Sequence, residues 1–155
     1  GLLSKYTDNR INFINAGSIA KERGIVFSHS YSTDMIPYTN KIKTIIHSKN
    51  DSFSVSGSVF GKNFIRITEI MGFDIDLKPS GKMLFIKNKD VPGVIGKIGT
   101  TLGLEKVNIS GYLLSKMEKK DFAYSIIRID NKISKETISK LFKIKELIEI
   151  KQLDL

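Results

Sequence analysis

From Lys82 to the C-terminus the chain keeps changing its hydrophobic period, and the order of those changes leaves few folds open. MLFIKN (83–88) reads as a strand, 91–104 as a helix and VNISGYLLSKM (107–117) as a second strand ending in the polar turn MEKKD. FAYSIIRID (122–130) reads as a third strand, SKETISKLFK (134–143) as a helix with Ser134 as N-cap and Thr137 near N3, and ELIEIKQLDL (146–155) as a last strand. The order βαββαβ predicts a four-stranded antiparallel sheet with both helices on one face, which leaves the other face or an edge for a partner.

The residues before it have another rhythm. RINFIN (10–15) reads as a short strand, AGSIAKERG (16–24) as one or two helical turns stopped by Gly24, and IVFSHS (25–30) as a second strand. YSTDMIPYTN (31–40) is polar and proline-bearing, hence a loop. KIKTIIHS, DSFSVSGSVF and FIRITEIMGFDIDL then alternate, with GKN and MG as turns, so this part is mostly sheet. LKPSGK (77–82) breaks the pattern with Pro79 and Gly81 and marks a boundary. The fold class is therefore α+β in two small domains: a mostly-sheet domain at 1–80 and a βαββαβ, ferredoxin-like domain at 81–155.

A chain of 155 residues, 41% apolar, can bury a real core, and no apolar run approaches the ~20 residues that would cross a bilayer. There is no targeting segment to read, and the absence of cysteine excludes disulfides and thiolate sites and fits a reducing compartment, with cytoplasm as the default. The net charge of +9 invites a nucleic-acid reading, but 1–80 carry 10 basic and 7 acidic side chains and 81–155 carry 15 and 9, an interleaved, solvated surface. Neither nucleic acid nor membrane is expected as a partner. Lysine outnumbers arginine 21 to 4, a compositional bias that makes the arginines the more informative cations.

DVPGVIGKIGTTLG (90–103) combines Val91, Ile95, Ile98 and Leu102, the spacing of one buried helix face, with Gly93, Gly96, Gly99 and Gly103. Each interior glycine costs roughly 0.5–1 kcal/mol against alanine, so something must offset it. Close packing against the sheet or a neighbouring subunit, and room for a ligand at the helix start, are the reasons on offer. With the VNIS that follows, the stretch resembles the first helix and second strand of an ACT domain, the module that binds amino acids and regulates metabolic enzymes. INFINAGSIAKERGI and SVSGSVFGKNFIRITEIMGFDIDLKPSG are similar to the intervening domain that precedes the ACT domain in the long form of the D-3-phosphoglycerate dehydrogenase family.

That resemblance covers nearly the whole chain and implies a C-terminal regulatory fragment of an NAD-dependent oxidoreductase of L-serine biosynthesis. The dinucleotide fingerprint is missing: Gly93, Gly96 and Gly99 lie inside the helix rather than in a turn before it, so NAD would belong to the parent enzyme and no cofactor to this fragment. No catalytic residue is expected. His29 and His47 are lone histidines without a carboxylate pattern, and no metal motif is present.

In the loop before the helix, Asp90 suits a helix N-cap, Pro92 the first helical turn, and Asn88 supplies an amide; Asn108 sits at the entry of a strand, an awkward place for a β-poor residue. The resemblance makes Asn88, Asp90 and Asn108 the ligands of an effector, L-serine, with Gly93 opening the site. It likewise makes Arg66, Lys78 and Arg128 an anion site for phosphate or a phosphorylated three-carbon acid, a chemistry that guanidinium forks suit. A homo-oligomer is expected through both domains, with ACT domains side by side. Two other readings stand beside it: a free-standing ACT-type module of another metabolic enzyme such as L-serine dehydratase, and a basic nucleic-acid binder.

Overall fold

Alternation in 41–77 produces four strands, β1 (Ile42–His47), β2 (Ser52–Phe60), β3 (Phe64–Ile70) and β4 (Phe73–Leu77), joined as an antiparallel meander in chain order. The computed structural model describes residues 10–33, 39–116, 118 and 120–155. They fall into two compact units, 1–35 and 36–155. The β3–β4 hairpin turns at Met71 and Gly72, with φ of 54° and 82°, the left-handed pair that matches strand twist in a two-residue loop. Gly57 sits at a bulge in β2, where an added Cβ would lie 3.2 Å from the Arg66 carbonyl oxygen.

The second sheet comprises β5 (Lys82–Lys89), β6 (Ile109–Lys116), β7 (Phe122–Ile129) and β8 (Leu147–Asp154) in the order β6-β7-β5-β8, antiparallel throughout. It carries α2 (Val94–Leu104) and α3 (Lys135–Phe142), which gives the ferredoxin-like βαββαβ order read from the sequence. The side chain of Ser134 caps α3 by accepting from the Thr137 N–H at 3.1 Å. Leu84, Ile86, Ile127 and Ile129 pack with Val94, Ile98, Leu102 and Leu141 on the helix side. Met83, Phe85, Tyr124 and Ile126 pack on the other side with Ile70, Phe73 and Leu77 of the first sheet. The face that the sequence left for a partner is thus covered by residues of β3 and β4 of the same chain, so the two sheets share one of the two apolar clusters.

Three local expectations are corrected. Residues 10–15 and 25–30 are not strands. The Asn12 side chain accepts from the Ile14 and Asn15 N–H groups, and Asn15 accepts from the Asn12 N–H at 2.8 Å, local bonds that compete with a ladder. Between them lies α1 (Ala16–Glu22), ended as expected by Gly24 at φ 68°. There the Ile25 N–H reaches the Ala20 carbonyl and the Gly24 N–H the Lys21 carbonyl. Of the loop expected at 31–40, residues 34–38 lie outside the described residues, as do 117 and 119 of the turn at 117–121.

The third correction concerns α2. It starts at Val94 with Gly93 as N-cap at φ 88°, so Asp90 is not the cap and Pro92 is not in the first helical turn. The buried face is Val94, Ile98 and Leu102, while Val91 and Ile95 remain 46% and 47% exposed. Gly96, Gly99 and Gly103 meet nothing within 4 Å of an added Cβ, so close packing among the described residues does not account for them.

Candidate functional site

The loop between β5 and α2 is fixed from beneath. Asn88 is 3% exposed; its Oδ1 accepts from the Ser125 hydroxyl at 2.9 Å and its amide donates to the Lys89 carbonyl. The Tyr112 hydroxyl donates to Ser125 at 2.8 Å, so a relay of three side chains ties β6 and β7 to the end of β5. Burial pushes the Tyr112 hydroxyl above its ordinary pKa, against the opposing pull of the Ser125 bond, which keeps it a donor at neutral pH. Asn88 therefore anchors the loop from its buried side. The sequence reading missed Tyr112 and Ser125, although a serine inside the apolar run FAYSIIRI was a visible signal.

Beyond Asn88 the chain leaves the sheet. The Asp90 N–H donates to the Asp121 carbonyl at 2.9 Å, and the Asp90 carboxylate lies 3.6 Å from Lys116 Nζ. Nearby, Lys97 of α2 pairs with Glu146 at 2.6 Å, and this ammonium holds the Glu146 carboxyl below its usual range, against the burial that would raise it. The first turn of α2 contributes backbone N–H groups without a side-chain cap. This end of the sheet thus presents an exposed loop, a carboxylate and free helix N–H groups, a combination suited to a small molecule with both ammonium and carboxylate.

Asn108 is elsewhere. Its amide donates to Asp130 Oδ2 at 2.7 Å, just before Ile109, whose partner across the ladder is Ile129. Lys116, which meets Asp90, is the last residue of β6 and Asn108 precedes the first. They are eight steps apart along the strand, about 26 Å at ~3.3 Å per step. The structure brings Asn88, Asp90 and Gly93 together and leaves Asn108 at the opposite end.

The basic residues also divide. Arg66 Nε pairs with Asp76 at 3.2 Å and lines a shallow cleft of about 300 Å³ with Phe60, Phe64, Thr68 and Ile75. Arg128 runs instead along Gly111 and Gly81 to the connector between the sheets, where its guanidinium donates to the Ser80 carbonyl at 2.6 Å and to the Lys78 carbonyl. The Lys78 side chain is exposed. Among the described residues no cluster of three or more His, Cys, Asp or Glu is arranged to hold a metal, and no helix is long and apolar enough to cross a membrane.

A four-stranded meander beside a βαββαβ unit defines an α+β protein with a ferredoxin-like part. Residues 1–71 match the D-3-phosphoglycerate dehydrogenase intervening domain. Over all 155 residues the chain is 32% identical to a D-3-phosphoglycerate dehydrogenase of Bacillus subtilis, of which it covers 30%. It is 34% identical over 151 residues to that of Methanocaldococcus jannaschii, covering 97% of this chain and 28% of the relative. It is 31% identical over 144 residues to that of Synechocystis, covering 93% of this chain and 26% of the relative. The chain is thus similar over nearly all of its length to the C-terminal part of D-3-phosphoglycerate dehydrogenases and spans less than a third of these relatives.

Proposed function

We propose that this chain is the effector-sensing part of an NAD-dependent D-3-phosphoglycerate dehydrogenase of L-serine biosynthesis, with 1–80 as intervening domain and 81–155 as ACT domain. The reading is carried by the whole-length similarity to the C-terminal part of relatives bearing that name. In it, L-serine is the effector. The Asp90 carboxylate takes its ammonium, the free N–H groups of α2 take its carboxylate, and the Asn108 amide takes its hydroxyl.

Because Asp90 and Asn108 stand at opposite ends of β6, one serine can touch both only if two copies pair side by side. Each joint then combines the β5–α2 loop of one copy with Asn108 of the other, and serine binding strengthens the pair. The outward glycines of α2 let a second helix approach closely in that arrangement. Of the basic positions, Lys78 and Arg128 meet at the connector and serve an anion, phosphate or a phosphorylated three-carbon acid, which Arg66 joins only by leaving Asp76. Calorimetric titration of L-serine into the chain tests the effector reading. Asn108→Ala is expected to weaken binding about tenfold or more, the loss of one hydrogen bond to a charged or strongly polar ligand. Unchanged affinity in the variant, or no heat with the parent chain, would contradict it.

A further inference from the structure

Three polar side chains interrupt an otherwise apolar face of the second sheet. Asn88 continues the alternation of Leu84 and Ile86 on β5, and Ser125 that of Ile127 and Ile129 on β7, so both lie on the face that carries the helices. Tyr112 packs against the same cluster from β6. Each bond among the three spans a diagonal of the ladder. Ser125 stands opposite Ile86 and reaches Asn88, and Tyr112 stands opposite Ile127 and reaches Ser125. Ser125 is fully buried and Asn88 nearly so. Polar groups so placed cost free energy unless their bonds are made, and an apolar trio would pack there without that cost.

One carbonyl fixes the direction of every bond. The Lys89 oxygen can only accept, so it faces the Asn88 amide nitrogen at 2.9 Å, which turns Oδ1 to Ser125. That oxygen also only accepts, so the single Ser125 proton goes to it and the Tyr112 proton goes to Ser125. The relay thus runs one way, from β6 to the Lys89 carbonyl. This carbonyl belongs to the peptide between Lys89 and Asp90, whose N–H donates to the Asp121 carbonyl at 2.9 Å. One peptide plane is held on both sides, and the Asp90 carboxylate leaves the chain directly after it.

We infer that Tyr112 is a positioning residue for the β5–α2 loop: through Ser125 and Asn88 its hydroxyl sets the plane of the Lys89–Asp90 peptide, and with it where the Asp90 carboxylate stands. Asn88 acts as part of that support rather than by touching an effector. The inference rests on the effector reading above, in which Asp90 takes the ammonium of L-serine. A carboxylate preset at the right place binds more tightly than one that must be ordered by the ligand, so a looser peptide plane lowers affinity while every group that touches the ligand stays.

Two small substitutions in the 155-residue chain test this. Tyr112→Phe removes the hydroxyl and keeps the ring, and Ser125→Ala cuts the relay at its middle. Each is expected to speed hydrogen exchange of the Asp90 amide about fivefold, as loss of one net hydrogen bond implies, and to weaken L-serine in calorimetry by a similar factor. The double variant separates a relay from lost packing. With Ser125 replaced, Tyr112→Phe is expected to change neither quantity further, whereas independent losses would multiply. Asp90 exchange unchanged in both single variants, or effects that multiply in the double variant, would overturn the relay. Faster exchange with serine affinity equal to the parent's would overturn the positioning role alone. No heat with L-serine in the parent would overturn the effector reading and the positioning role together, while the exchange rates still judge the relay.

Discussion

The four glycines at the start of α2 and within it do two different things. Gly93 holds φ at 88°, a conformation that a side chain enters only with strain, so Gly93→Ala is expected to cost about 1–2 kcal/mol. Gly96 and Gly99 are helical and face open space, so alanine at either is expected to raise the stability of the single chain by about 0.5–1 kcal/mol. Urea unfolding at low protein concentration measures both signs, and destabilisation by Gly96→Ala would contradict the assignment. Glycine at positions where alanine would stabilise the single chain points to a requirement outside it. The same substitution is therefore expected to weaken self-association while it strengthens the fold.

At the scale of elements, α2 and α3 are joined by Glu105, which reaches Lys140 at 2.9 Å and the Thr137 hydroxyl at 3.3 Å. The Lys140 bond holds the Glu105 carboxyl below its ordinary range, and the same contact raises Lys140. A carboxyl depressed in the folded state contributes stability above its unfolded pKa, here the ordinary value of 4.5, and loses it as pH falls through the folded value. Lowering the pH from 6 to about 3.5 is thus expected to reduce the urea midpoint more in the parent than in Glu105→Gln. Equal losses would show that the pair does not couple to folding. The strands of 41–77 and the βαββαβ order were legible because each side-chain period spans a whole element. RINFIN was misread because Asn12 and Asn15 bond the backbone locally, and the face of α2 because left-handed Gly93 delays the helix to Val94. Asn88, Asp90 and Asn108 could be named from their motif, but not their separation, since that follows from the register of β6 on β7. The partner of the second sheet was equally hidden, because nothing in a strand's alternation says which sheet covers it.

At the scale of the molecule, the two sheets share an apolar cluster, and the loop at Asp90 and the strand entry at Asn108 lie at the two ends of β6. The central claim is that a serine site is completed only between two copies. Asp90→Ala and Asn108→Ala should each weaken serine binding about tenfold or more alone, yet a pair formed from one of each holds one joint with both residues intact. Mixing the two variants in equal amounts and titrating L-serine is the direct measurement. Random pairing of dimers predicts that about one quarter of all joints regain the parent affinity. A mixture that binds no better than its components, or an Asn108→Ala variant that binds as the parent does, would contradict the account.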